Sequence, residues 1–140
     1  MRGEVHDENT WALGGVAPQA GLFGTIGDLS NWGLELRKAV MGKRNGLCSE
    51  KTAKLFTKRR TPVTQGDWGL GFMKPGKNSS AGKFSKSSFG HLGFTGTSIW
   101  IDPKRDLVVS ILSNRVHPTR DNIEIRKLRP LIHNIVVGLS

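Results

Sequence analysis

Between Ser88 and Ser113 three strand-length segments follow one another with so little chain between them that the polypeptide must double back. Ser88–Phe94 and Thr97–Asp102 are separated only by Thr95-Gly96, and Asp102-Pro103-Lys104-Arg105-Asp106 is a hairpin-length turn leading into Leu107–Ser113. The last segment is almost continuously apolar, which predicts a strand buried on both faces. Asp67-Trp68-Gly69-Leu70-Gly71-Phe72-Met73, short and apolar between Gly66 and Pro75, is a candidate extra strand.

Helical spacing frames this β-rich run. Thr25 can cap a helix with Asp28 three positions on, and Leu29, Trp32, Leu36 and Val40 recur at the helical period, which predicts a helix over about 26–41, ended by Gly42 and Gly46. Ser49-Glu50 offers a second N-cap before Ala53, Leu55 and Phe56, so a shorter helix should follow and end before Pro62. Asp121 with Glu124 resembles a capping box, and Ile125, Leu128, Ile132, Ile135 and Leu139 then form one apolar face that should lie on the sheet. Pro130 interrupts it, and an interior proline costs roughly 3 kcal/mol, which predicts a kink or a restarted helix. The first 24 residues, rich in Gly and small side chains, read as loops, and 74–88, dominated by Lys, Gly, Ser and Asn, as a flexible insertion. The fold class is α+β, with 1–140 as a single domain.

At 140 residues and 36% apolar content the chain can fill one modest core. Its net charge of +10 would attract nucleic acid, anionic lipid or an acidic cell-wall polymer. The basic residues are scattered, however, among Lys43-Arg44, Lys58-Arg59-Arg60, Lys83, Lys86, Lys104-Arg105 and Arg126-Lys127-Arg129, as on a solvated surface. The lone Cys48 excludes an intrachain disulfide and a thiolate metal cluster. No run reaches the roughly 20 apolar residues of a membrane span, and Met1–Asp7 lacks the apolar core of a signal peptide, so the sequence predicts a soluble chain with no membrane span.

The stretch Gly90-His91-Leu92-Gly93-Phe94-Thr95-Gly96-Thr97-Ser98-Ile99-Trp100-Ile101-Asp102-Pro103, followed by an apolar strand and Ser113-Asn114-Arg115, resembles the active-site edge strand and hairpin of the penicillin-recognising serine hydrolases: serine β-lactamases, penicillin-binding proteins and related esterases. His6-Asp7-Glu8-Asn9, Gly14-Gly15-Val16-Ala17 and Ala20-Gly21-Leu22-Phe23 extend the resemblance toward the N-terminus. Members closest to this pattern have Gly-His where this chain has Pro18-Gln19, which leaves that histidine's role without a residue. The resemblance implies a partial β-lactamase/transpeptidase-like fold, the C-terminal half: three strands of an antiparallel sheet, a C-terminal helix and N-terminal helices. It implies that His91 takes the place of the family's basic group, that Gly93 lets substrate approach the strand, and that the Phe94 amide stabilises an oxyanion, with Leu92 and Thr95 as substrate-binding neighbours. The reaction implied is acyl transfer on a β-lactam, peptide or ester. Members of the family are often periplasmic or extracellular, and some are cytoplasmic.

The family's nucleophile sits in a Ser-x-x-Lys motif far upstream of this strand. Only Ser80-Ala81-Gly82-Lys83 has that spacing here, a few residues before His91, and with no tyrosine in the chain the Tyr-x-Asn element is absent as well. No nucleophile is therefore assigned, and the chain alone is expected to be inactive. Adjacent His6, Asp7 and Glu8 rarely converge on one ion, and His117 and His133 lack ligand-spaced partners, so no metal and no cofactor is assigned. Trp11, Trp32, Trp68 and Trp100 are too dispersed to form a stacking platform and read as core or groove walls. The partners implied are the missing N-terminal half, or a second copy paired through an exposed sheet edge, with a small-molecule or peptide substrate in the complete enzyme and no specific nucleic acid. The alternative class is a non-catalytic basic module that binds a partner chain, a cell-wall polyanion or nucleic acid.

Overall fold

The computed structural model describes residues 3–61, 67–76 and 79–140. Its centre is an antiparallel meander of β1 (Phe89–Leu92), β2 (Ser98–Asp102) and β3 (Leu107–Ile111), in the order β1-β2-β3. The fold class is α+β. All five residues of β2 are buried, and alternation along it sends Ile99 and Ile101 to one face and Ser98 and Trp100 to the other.

On the first face lies α2 (Ile26–Val40), started by a complete capping box in which Asp28 accepts from the Thr25 amide (2.8 Å) and Thr25 Oγ1 from the Asp28 amide (3.2 Å). Leu36, with Leu29 and Val40, packs onto Phe89, Ile99, Ile101 and Val108. Arg37 fixes the helix to the β2–β3 turn, its Nη1 donating to the Asp106 carbonyl (2.5 Å) and pairing with the Asp106 carboxylate (3.0 Å). The shorter α3 (Glu50–Thr57), capped by Ser49, packs on α2. Both helices stand where the sequence puts them.

The other face carries α4 (Ile125–Leu139), and here the sequence reading is corrected. The residues turned to the sheet are Arg129, His133 and Val137; the predicted stripe points outward, leaving Leu128, Ile132, Ile135 and Leu139 exposed and Ile125 half-buried. Periodicity assigns the buried face to apolar residues, but a polar side chain can take that face when its hydrogen bonds are made, as they are for Arg129 and His133. The helix runs through Pro130 without restarting, and it starts at Ile125 rather than Asp121; its N-cap, Glu124, makes no side-chain capping bond, while Asp121 accepts from Thr119 Oγ1 (3.0 Å). No helix among the described residues is long and apolar enough to cross a membrane.

Other stretches differ from the sequence reading as well. The N-terminal stretch read as loops contains α1 (Glu8–Ala12), whose N-cap Asp7 accepts from the Thr10 amide (2.8 Å). Asp67–Met73 is no strand: Gly71, at φ +86°, turns the chain so that Trp68 pairs back with Met73, and only Met73 bridges to Gly90 on the outer edge of β1. Leu107–Ser113 is buried throughout only at Val109, because β3 pairs with β2 alone among the described residues and its outer edge is uncovered. Within 74–88, expected as a flexible insertion, Ala81 and Phe84 pack with Trp100, Val109 and Val137 in the second core cluster.

That cluster closes over a buried polar chain. His133 Nδ1 lies 3.0 Å from the Ser80 carbonyl, which can only accept, so Nδ1 carries the proton and Nε2 accepts from Ser98 Oγ (3.2 Å). Burial lowers the His133 pKa below 6.5, the Ser80 bond opposes this, and the positive charge of Arg129 lowers it further. With the folded-state pKa depressed, the unfolded chain binds the proton more tightly, so stability is fully present above pH 6.5 and falls as the pH drops toward the folded pKa. The unfolding free energy from urea titrations should fall below about pH 6.5 with a slope of up to about 1.4 kcal/mol per pH unit, and His133→Gln should flatten that slope. An equal slope in the variant would assign it to other groups.

Candidate active-site edge

The outer edge of β1 is half-covered. Gly90 exchanges both backbone bonds with Met73 (2.8 and 3.0 Å), after which the partner chain departs and no described residue pairs with the edge beyond. His91 is exposed on this open part, its Nδ1 3.0 Å from the Leu92 carbonyl and its ring 5.6 Å from that of Trp68. Leu92 sends its side chain the other way, onto the cluster around Trp100. The chain then turns through 93–96, with the Gly93 amide donating to the Thr97 carbonyl (2.7 Å) and the Gly96 amide to the Gly93 carbonyl (3.2 Å). A Cβ on Gly93 would meet the Thr97 hydroxyl, so a larger residue there requires the Thr97 side chain to turn away.

Two arginines fix the peptides on either side of Phe94. Arg129, buried beneath the turn, donates from Nη2 to the Gly93 carbonyl (2.5 Å) and from Nε to the Gly96 carbonyl (3.2 Å). Arg115 donates from Nε to the Phe94 carbonyl (2.7 Å) and lays its guanidinium 4.0 Å from the centroid of the Phe94 ring. The Gly93 carbonyl and the Phe94 amide belong to one planar peptide unit, so the Arg129 bond sets the direction of the Phe94 N–H as well. Among the described residues no acceptor takes that N–H. Phe94 itself is 59% exposed, and the His6 ring approaches it at 5.7 Å. Thr95 is half-buried and its carbonyl accepts from the Arg115 amide (2.8 Å). A cavity of about 280 Å³ lies between this turn and the start of α4, with Arg115, Arg126 and Arg129 in its wall and no carboxylate.

His91, Gly93 and Phe94 are thus contiguous along one open edge, with Leu92 facing the core between them. Ser80, the serine of the one Ser-x-x-Lys spacing, is buried; its hydroxyl accepts from Trp100 Nε1 (3.0 Å) and touches His133 Nδ1 (3.0 Å), so it is a core hydroxyl closed to substrate. Gln19, in place of the family's histidine, bonds Thr10 Oγ1 (3.4 Å). Sequence reasoning missed the arginine clamp, the approach of His6 and the placing of Trp68 beside His91. The Asn114-Arg115 pair was visible as part of the pattern, but no local signal links Arg129 to a glycine 36 residues away.

Comparison with known proteins identifies the family. Residues 2–133 match the family model described as Beta-lactamase. The chain is 37% identical over 123 residues to the Salmonella gallinarum protein named "Putative D-alanyl-D-alanine carboxypeptidase" (82% of this chain, 27% of that one). It is 35% identical over 126 residues to the Bacillus subtilis "N-acetylmuramyl-L-alanine amidase" (84% and 27%). The crystal structure of a β-lactamase from Mycobacterium bovis superposes with a TM-score of 0.66 at 27% identity, over 85% of this chain and 45% of that one. The chain therefore spans about a quarter of the length of these curated relatives. With the His-x-Gly edge, the antiparallel meander and a family match across nearly all of its residues, this chain belongs to the β-lactamase family.

Proposed function

We propose that the chain forms the edge-strand side of a serine acyl-transfer site, to be completed by a nucleophile and base carried on an N-terminal half. The observation that carries this reading is the Phe94 amide, left without an acceptor among the described residues while Arg129 and Arg115 hold the carbonyls on both sides of it. A donor fixed in advance, at an edge where an extended acyl group can lie, is what oxyanion stabilisation needs. His91 contributes the basic group beside it. Substrates of the completed site are β-lactams, peptide-like amides or esters, and the carboxypeptidase and amidase names of the relatives favour a cell-wall peptide amide. The uncovered edge of β3 and the exposed apolar stripe of α4 support pairing with the N-terminal half, or with a second copy in its absence.

The isolated chain should not hydrolyse a chromogenic β-lactam or an activated ester above buffer. When an upstream half bearing Ser-x-x-Lys and Tyr-x-Asn elements is supplied, turnover should appear, and Gly93→Val should lower kcat by about 10²–10³-fold, the scale of losing one oxyanion donor. Wild-type kinetics in that variant would show that this edge does not face the reacting carbonyl, and turnover by the chain alone would overturn the division of labour.

A further inference from the structure

The end of α3 with Lys58 and Arg59, together with Lys74, Lys86 and Ser87, lines a second cavity, of about 360 Å³, distinct from the one beside Phe94. Five of its seven lining residues, Lys54, Lys58, Arg59, Lys74 and Lys86, are basic, and none is acidic. Lys54 pairs with Glu50 and Arg59 with Asp67. Lys58, Lys74 and Lys86 have no carboxylate within ion-pair distance among the described residues, and residues 1–2, 62–66 and 77–78 contain no Asp or Glu that could supply one.

Lys74 distinguishes this cavity from a basic surface. It is only 5% exposed, its ammonium lies 5.6 Å from the centroid of the Phe89 ring, and among the described residues that ammonium makes one hydrogen bond, to the Ser87 carbonyl (3.0 Å). An ammonium has three donors, so two are without a partner among the described residues, on a side chain that lines the cavity. Burial, and then the charge of Arg59, pull its pKa down to about 8, the signature of a cation held in place without a counter-charge. A buried charge of this kind is relieved by an anion within hydrogen-bonding reach, and a lysine serves a phosphate as a point charge without demanding planar geometry.

We propose that this cavity binds a tetrahedral dianion, a phosphate group or its sulfate equivalent, gripped by the Lys74 ammonium from within and by Lys58 and Lys86 at the rim. The two cavities share no lining residue, so the occupancy of this site does not depend on the acyl-transfer function. Free phosphate and a phosphate monoester present the same group to the three lysines, and only the space beyond the rim differs.

Amide NMR of the 140-residue chain, titrated with sodium sulfate against sodium chloride at constant ionic strength, tests the proposal. Saturable shifts should centre on the amides of Thr57, Lys58, Arg59, Lys74 and Ser87. Lys74→Met should weaken binding about tenfold or more, the scale of one charge-assisted hydrogen bond. Because loss of a buried side chain can disturb folding, the exposed pair Lys58→Ser with Lys86→Ser provides the second test and should weaken binding with unfolding unchanged. Removing the same charge elsewhere, with Lys43→Ser and Arg44→Ser, should leave affinity unaltered. Inorganic phosphate and glycerol phosphate, titrated alongside, separate a site for the free ion from one that accepts an ester. Linear shifts spread over all basic residues, unchanged binding in Lys74→Met, or equal loss in the Lys43 and Arg44 variant would each overturn the proposal.

Discussion

Replacing Asp102 with alanine is expected to cost about 3–5 kcal/mol, a large share of the roughly 5–15 kcal/mol that holds a domain folded, because it removes a fully buried carboxylate on which five hydrogen bonds converge. Asp102 ends β2 and is completely buried, yet its carboxylate accepts from the Ser85 amide (2.9 Å), the Ser85 hydroxyl (2.6 Å), the Lys104 and Arg105 amides (3.1 and 3.2 Å) and Arg105 Nη1 (3.1 Å). Burial alone would raise its pKa, but the hydrogen bonds, those from Ser85 foremost, outweigh burial and hold it below 3.8. The folded pKa is depressed, so its contribution is present above pH 3.8 and lost as the pH falls through the folded value. The residue ties two pieces of structure together: it organises the β2–β3 turn and anchors Ser85, next to Phe84 of the core. Asp102→Asn keeps the shape but aims an N–H₂ at groups that themselves donate, so it should fall between wild type and alanine. Urea midpoints of the three proteins at pH 7 measure this, and an alanine variant as stable as wild type would show that the turn and Ser85 do not depend on the carboxylate.

Asp102 also shows which parts of the fold were legible in the sequence. Its turn, Asp-Pro-Lys-Arg-Asp, could be read because the information is local, and the same holds for the Thr25–Asp28 box and the strand bounds around it. What failed was long-range. The buried face of α4 is set by Arg129 and His133 finding carbonyl and hydroxyl partners 33 to 53 residues away, and no periodicity registers that. Ala81 and Phe84 were hidden in a Lys-, Gly- and Ser-rich stretch whose composition resembles solvated chain although its two apolar residues reach the core. At Asp67–Met73, Gly71 decided the outcome: it permits a positive φ, and the chain folds back on itself where an apolar run alone suggested a strand. The site divides the same way. His91, Gly93 and Phe94 followed from a linear pattern, whereas Arg129 and Arg115, which orient the Phe94 peptide from 36 and 21 residues away, required the folded chain.

Glycines within the pattern carry a further, quantitative expectation. A Cβ on Gly90 would lie 2.7 Å from Trp100 Cδ2 and inside contact distance of the Ile99 carbonyl oxygen, that is, against a ring and a backbone. Neither can yield: Trp100 is fully buried, its Nε1 is held by Ser80 Oγ (3.0 Å) and its ring packs 5.9 Å from that of Phe84, while Ile99 lies in the central strand. Gly33 looks similar by distance, with a Cβ 2.8 Å from Ile99 Cδ1 and Val108 Cγ1, but those atoms are the tips of side chains that can rotate, and an alanine inside α2 gains about 1 kcal/mol of helix propensity over glycine. Gly90→Ala should therefore destabilise by about 3 kcal/mol, at the upper end of overpacking, while Gly33→Ala stays within about 1 kcal/mol of wild type. The Gly90 variant should also disturb the amide resonances of Met73 and of residues 91–94, since its two backbone bonds to Met73 define where the covered part of the edge ends and the open part begins. Equal tolerance at the two positions in denaturation experiments would mean that β1 can move away from β2, and an edge that mobile could not hold the Phe94 amide in place for an oxyanion.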